Sequence, residues 1–172
     1  MRVLNIIHDS IVDGEGLRTV IFFAGCSHHC KGCHNPQSWD FNGGTETIVE
    51  EIMDEIKSNP LCQGVTFSGG EPFHQADKIL PLAKKLKEEG YNIWCYTGYT
   101  LEQILTYSVL KPKLLEYIDV LVDGKFIEEQ KDLTLKFKGS RNQRILRRGI
   151  DNGIIDIADL SLRPSINLNV AI

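Results

Sequence analysis

The chain has 172 residues, 42% of them hydrophobic and 24% charged, with a formal net charge of −4. That length suits a single domain spanning 1–172, and the charge balance argues against a nucleic-acid surface. No apolar run approaches the ~20 residues of a membrane span, Met1-Arg2-Val3-Leu4-Asn5 is no signal peptide, and five cysteines with three clustered fit metal-binding thiolates in a reducing cytoplasm better than a disulfide framework.

Met1 to Ile7 alternates loosely, as an edge strand does. His8 to Gly16 reads as a loop with Asp13-Gly14 as its turn, and His8 as a surface residue. Val20-Ile21-Phe22-Phe23 suits a strand buried on both faces. Cys26-Ser27-His28-His29-Cys30-Lys31-Gly32-Cys33 follows at once, with the spacing C-x3-C-x2-C. Three thiolates can hold three irons of a 4Fe–4S cluster, one cysteine to each, leaving the fourth iron open to a bound molecule. Other readings fit part of the stretch. Cys30-Lys31-Gly32-Cys33-His34 matches a haem attachment pattern but ignores Cys26. Cys26, Cys30, Cys33 and His34 make a chemically sound zinc set. A thioredoxin-like C-x-x-C leaves Cys26 unexplained. Trp39 and Phe41, ahead of Gly43-Gly44, read as lids over the cluster or as core packing. Cys62 and Cys95 stand alone and read as buried free thiols.

Thr47-Ile48-Val49-Glu50 has the form of a capping box, and Ile48, Val49, Ile52, Met53 and Ile56 then share one helix face, which makes Met53 a core residue. Asn59-Pro60 ends that helix. Val65-Thr66-Phe67 is a second strand running into Ser68-Gly69-Gly70-Glu71-Pro72, where two glycines form a turn or let a ligand approach bare backbone. His74 reads as a solvated loop residue. Ile79, Leu82, Ala83 and Leu86 mark a helix that starts or bends at Pro81 and closes at Gly90. Ile93-Trp94-Cys95-Tyr96 is a third strand, and Thr100-Leu101-Glu102-Gln103 a second capping box. A short helix over Leu114, Leu115 and Ile118 leads to a fourth strand, Val120-Leu121-Val122, ending at Asp123-Gly124-Lys125. Gly139 to Gln143 is a polar loop. Arg144, Arg147 and Arg148 read as a solvated basic patch before a phosphate or partner contact. Asp151-Asn152-Gly153 is a hairpin turn between strands at Ile145-Leu146 and Ile154-Ile155. The tail from about 150 to 172 has no assigned role. Strands alternating with helices at about 25-residue intervals suit right-handed parallel crossovers, whose functional loops lie at the carboxyl ends of the strands.

The cysteine spacing resembles that of the radical S-adenosylmethionine enzymes. Val12-Asp13-Gly14-Glu15-Gly16 before it and Asn35-Pro36-Gln37-Ser38-Trp39 after it are similar to the activating enzymes of glycyl-radical proteins. Trp94-Cys95-Tyr96-Thr97-Gly98-Tyr99, Val122-Asp123-Gly124-Lys125-Phe126 and Gly139-Ser140-Arg141-Asn142-Gln143 resemble the activators of anaerobic (class III) ribonucleotide reductases. The resemblance runs from about Val12 to Gln143. It implies an α/β fold, a partial, incomplete βα barrel with an open side.

It implies a 4Fe–4S cluster on Cys26, Cys30 and Cys33, and S-adenosylmethionine cleaved reductively to a 5′-deoxyadenosyl radical that takes a hydrogen atom from a glycine of the partner reductase. Gly69, Gly70 and Glu71 would seat the methionyl amino group, and Lys125 would pair with the carboxylate. Asp123 would orient that carboxylate or bond the ribose. Gly32, Cys33 and His34 would flank the nucleoside. Gly32 stands where many such enzymes carry an aromatic residue, so no adenine contact carries over from that position, and His34 is the neighbouring candidate. A flavodoxin is the implied electron donor. The rival readings are an activator of another glycyl-radical protein, an enzyme acting on a small molecule, and a zinc- or cluster-stabilised binding module without turnover.

Overall fold

The computed structural model describes residues 1–107 and 112–149, and the backbone of 154–156. Its framework is one mixed sheet of eight strands in the order β3-β1-β2-β4-β5-β6-β7-β8. These are β1 (Arg2–Ser10), β2 (Arg18–Phe23), β3 (Thr45–Glu46), β4 (Gly64–Gly69), β5 (Asn92–Tyr96), β6 (Val120–Asp123), β7 (Arg144–Arg148) and β8 (Ile154–Asp156). The central strands β2, β4, β5 and β6 run parallel, and antiparallel pairs extend the sheet at both ends. The architecture is therefore mixed α/β.

The period-2 alternation of the strands sorts side chains onto two faces. Ile21, Phe67, Cys95, Leu121 and Leu146 are register neighbours in one row. All belong to the main core, together with the buried faces of helices α1 (Val49–Ser58) and α2 (Ala76–Glu88). The neighbouring row Val20, Thr66, Trp94 and Val120 faces the other way. Arg18 is buried on that second side. It donates to Thr66 Oγ1 and to the carbonyls of Val65, Asn92 and Glu15, and lies 5.5 Å from the Trp94 ring centre. Burial pushes its pKa down to about 10.

Several local expectations shift. His8, Asp9 and Ser10 continue β1, because His8 is braced between Thr19 Oγ1 and Glu55, both at 3.0 Å. β3 lies outside β1, so β1 is not the edge. The first capping box is displaced by one residue: Glu51 accepts from the Ile48 amide, while the Thr47 hydroxyl bonds Thr45 O. α2 starts before Pro81 and runs through it. The second box forms as read, Thr100 Oγ1 accepting from Gln103 N and Gln103 Oε1 from Thr100 N, and opens α3 (Leu101–Thr106). Strands β7 and β8 pair antiparallel, Arg148 opposite Ile154. The Asp151-Asn152-Gly153 turn between them, and the tail beyond 156, lie outside the described residues. No helix among the described residues is long and apolar enough to cross a membrane.

Candidate iron–sulfur site

The cysteine loop leaves β2 at Gly25, and backbone bonds lace its base to two other segments. Gly25 N donates to Ser38 O at 2.8 Å and Cys26 N to Trp39 O at 3.2 Å, while Gly25 O accepts from Glu71 N at 2.9 Å. The loop therefore sits against the carboxyl end of β4. Cys26, Cys30, Cys33 and His34 line a cavity of about 800 Å³ together with Gly69 and Gly70. Thr97, Gly98 and Gly124 line it too, so the ends of β2, β4, β5 and β6 all contribute, and the 133–139 segment adds a further wall. Its size is that of a small-molecule site.

Asn35 N lies 3.4 Å from Cys33 Sγ. Backbone donors also act on the other two thiols, those of His28 and His29 on Cys26 and that of Phe126 on Cys30. Burial raises the thiol pKa of Cys26 and of Cys30, and these donors oppose the rise. A bound metal overcomes it by taking the thiolate form. Three sulfurs on one cavity wall, each with N–H donors, suit an iron–sulfur group whose potential depends on such bonds. Among the described residues no three His, Cys, Asp or Glu side chains form a ligand group for one metal ion.

The other predicted site residues divide. Gly69, Gly70 and His34 line the cavity, and His34 packs against Phe126 at 5.3 Å. Gly32 has φ +70°, is exposed, and lies beside Glu128, outside the cavity lining. Glu71 is wholly buried, and its carboxylate accepts from Phe73 N, Thr97 Oγ1, Gly98 N and His28 Nε2. Asp123, 1% exposed, accepts from Leu101 N and Arg144. Both carboxylates thus bond protein partners, and neither residue is in the cavity lining. Lys125 is exposed, and its charge acts on Cys30. Trp39 and Phe41 do not line this cavity; Trp39 packs on His29, and Phe41 on His74 over a smaller pocket. His74 is no solvated residue: it lies among Phe41, His28 and Tyr99, and burial lowers its pKa.

Two supports depend on contacts across the fold that no local pattern announces. Gln143 accepts from Gly139 N and Ser140 N and donates to Gly124 O at 3.0 Å, and Asn142 donates to Lys125 O. The polar loop thereby fixes the strand end beside Cys30. The basic patch is also committed internally. Arg147 pairs with Glu15, Arg148 donates to the carbonyls of Ile118 and Leu115, and Arg144 bridges Asp123 and Glu102. Arg144→Met is expected to cost about 2–3 kcal/mol in urea unfolding, less than a fully buried pair because the guanidinium keeps solvent contact. Bonds from Arg144 hold the Glu102 pKa at about 2, below its ordinary 4.5. That contribution is present above about pH 4.5 and is lost as pH falls toward 2. The stability gap between wild type and variant should therefore narrow on acidification through that window; a gap independent of pH would contradict it.

A domain that gathers three cysteines of one loop against parallel strand ends is built to carry a cluster. A family model described as a 4Fe-4S single cluster domain matches residues 12–146. The chain is 39% identical over 155 residues to a protein of Haemophilus influenzae, covering 86% of this chain and 98% of that one. It is 41% identical over 145 residues to one of Pasteurella multocida, covering 80% and 91%, and 36% identical over 141 residues to one of Escherichia coli K12, covering 77% and 90%. All three are named anaerobic ribonucleoside-triphosphate reductase-activating protein. The chain belongs to this family of 4Fe-4S activating proteins.

Proposed function

We propose that this chain activates an anaerobic ribonucleotide reductase by generating a glycyl radical on it, with a 4Fe–4S cluster on Cys26, Cys30 and Cys33 and S-adenosylmethionine as cofactor. The observation that carries this reading is the shared cavity of the three thiols and Gly69-Gly70 at the ends of four parallel strands. The names of the relatives support the partner. Cys26, Cys30 and Cys33 would hold the cluster, which, bound and reduced, would supply the electron for reductive cleavage of S-adenosylmethionine and so the means of taking a hydrogen atom from a glycine Cα of the partner.

The residues of the chain do the rest by placement. Gly69 and Gly70 offer bare backbone to the methionyl amino group. Lys125, exposed on the strand end next to Cys30, pairs with the carboxylate. Glu71 and Asp123 act by holding those segments, through Gly98 and Thr97 on one side and Arg144 on the other. His34, backed by Phe126, lies beside the nucleoside together with Cys33, while Gly32 turns the loop outside the cavity lining. The parallel strands make an incomplete βα barrel, and its open side is where the partner fits. Ile11, Val12 and Leu133, exposed by 70%, 71% and 85%, rim the cavity and favour cover by protein rather than water. The setting is the cytoplasm, with flavodoxin as electron donor and neither nucleic acid nor membrane as partner.

Anaerobic incubation with reductant, S-adenosylmethionine and a reductase deuterated at glycine Cα tests this. Deuterium should enter 5′-deoxyadenosine while a glycyl-radical signal appears on the reductase. Undeuterated 5′-deoxyadenosine without a protein radical would point to another glycyl-radical partner or a small-molecule substrate. A loaded protein that never cleaves the cofactor would point to a binding module.

A further inference from the structure

One buried polar contact ties the cysteine loop to the rest of the molecule. The His28 side chain is 6% exposed and that of Glu71 is 0% exposed, and Nε2 lies 3.0 Å from Oε2. Facing a carboxylate that already accepts from Gly98 N, the imidazole nitrogen must donate. The ring meets Tyr99 edge-on at 4.5 Å. It fits only because residue 98 has no side chain: a Cβ there would lie 2.3 Å from His28 Cδ2.

Glu71 also holds the loop at a second point, through its own amide to Gly25 O at 2.9 Å. Gly25 and His28 flank Cys26, so one buried residue grips the chain on both sides of this sulfur. The backbone donors that favour the Cys26 thiolate belong to His28 itself and to His29, next in the loop. The tip of the loop has a weaker hold, a backbone bond between Cys33 and Cys30 and the surface pair of Lys31 with Glu128.

We infer that His28 is a positioning residue: its clasp on Glu71 aims the backbone donors at Cys26 and so sets the reduction potential of the bound cluster. This rests on the cluster reading above. Hydrogen bonds to cluster sulfurs stabilise the reduced, more negative state, so their number and aim raise the potential. Releasing the clasp lets the amides drift and lowers it. A side chain that merely held the fold together would change stability and leave the potential alone.

The measurement is a redox titration of the loaded protein, following the electron paramagnetic resonance signal of the reduced cluster. His28→Phe keeps a ring and loses the donor. At the solution potential where wild type is half reduced, its reduced-to-oxidised ratio should fall about tenfold, a shift of about 59 mV to the negative. His28→Gln restores an N–H to Glu71 and should recover most of the wild-type potential. Gly98→Ala displaces the ring while leaving both His28 and the Gly98 amide in place, and should shift the potential in the same direction. Iron and sulfide contents are measured alongside. A loaded wild type with unshifted His28→Phe or Gly98→Ala overturns the clasp alone. Loss of cluster from all three variants marks a staple of the fold and also overturns it. A wild-type chain that takes no 4Fe–4S cluster overturns the cluster reading itself.

Discussion

Replacing Cys26, Cys30 or Cys33 with Ala is expected to empty the protein of iron and sulfide and to abolish cofactor cleavage. In the proposed ligation each thiolate would serve one iron, so no ligand would be redundant. The two remaining cysteines are badly placed to substitute. Cys95 sits wholly buried in the sheet row between Phe67 and Leu121, and burial drives its thiol pKa far up. Cys62 donates to Gly64 O at 3.2 Å, at the opposite end of β4 from the cysteine loop. Cys62→Ala and Cys95→Ala should therefore keep full loading, Cys95→Ala at a cost of about 1–2 kcal/mol in stability from lost packing. Iron and sulfide analysis of the five variants is the measurement. Full loading in Cys30→Ala would remove this residue from the ligand set.

Gly70→Ala is expected to be nearly as damaging, and for a reason the sequence did not disclose. A glycine pair at a strand end suggests room for a ligand. In the folded chain that room is taken first by protein: a Cβ at Gly70 would lie 2.5 Å from Gly25 O and 3.0 Å from Ser38 O. Both are backbone atoms at the base of the cysteine loop, and neither can swing aside. The methyl must push β4 and the loop apart, breaking the Glu71 N to Gly25 O bond. Cluster content and cofactor binding should fall together. Gly90→Ala is the contrast, since a Cβ there meets nothing and only its φ of +85° is strained, at a cost of about 1 kcal/mol. A fully loaded Gly70→Ala that has lost only cofactor binding would show that the glycine serves the ligand alone.

Local pattern accounts for what could be read in advance. The four parallel strands announce themselves as short apolar runs, and the cysteine loop by its spacing. Thr100 and Gln103 close their capping box as their spacing suggests. Thr47 and Glu50 look the same on paper. There the Thr47 amide is taken by Met1 O, its hydroxyl by Thr45 O, and Glu51 reaches Ile48 instead. What stayed hidden depends on register across the sheet. β6 and β7 pair so that Asp123 lies opposite Arg144, which turns an apparent surface patch into an internal clamp. Glu71 stands out in the sequence beside its glycine pair, but its burial beneath His28 and Thr97 does not, because those partners come from two other strand ends. His74 reads as solvated for the same reason: Tyr99, Phe41 and His28 converge on it from three segments.

The dependence of the cysteine loop on Glu71 and Gly98 also orders events during synthesis. Translation runs from the amino terminus, and folding follows it as units are completed. The three thiols emerge early, yet Glu71 follows His28 by 43 positions, and the Gly98 backbone that packs on the ring comes later still. Until β4 and β5 have both left the ribosome, the loop has no wall to lie against. The nascent chain therefore presents three loose thiols to the cell before it presents a site. Iron delivered in that interval would meet a flexible chelator, and iron delivered afterwards a shaped cavity.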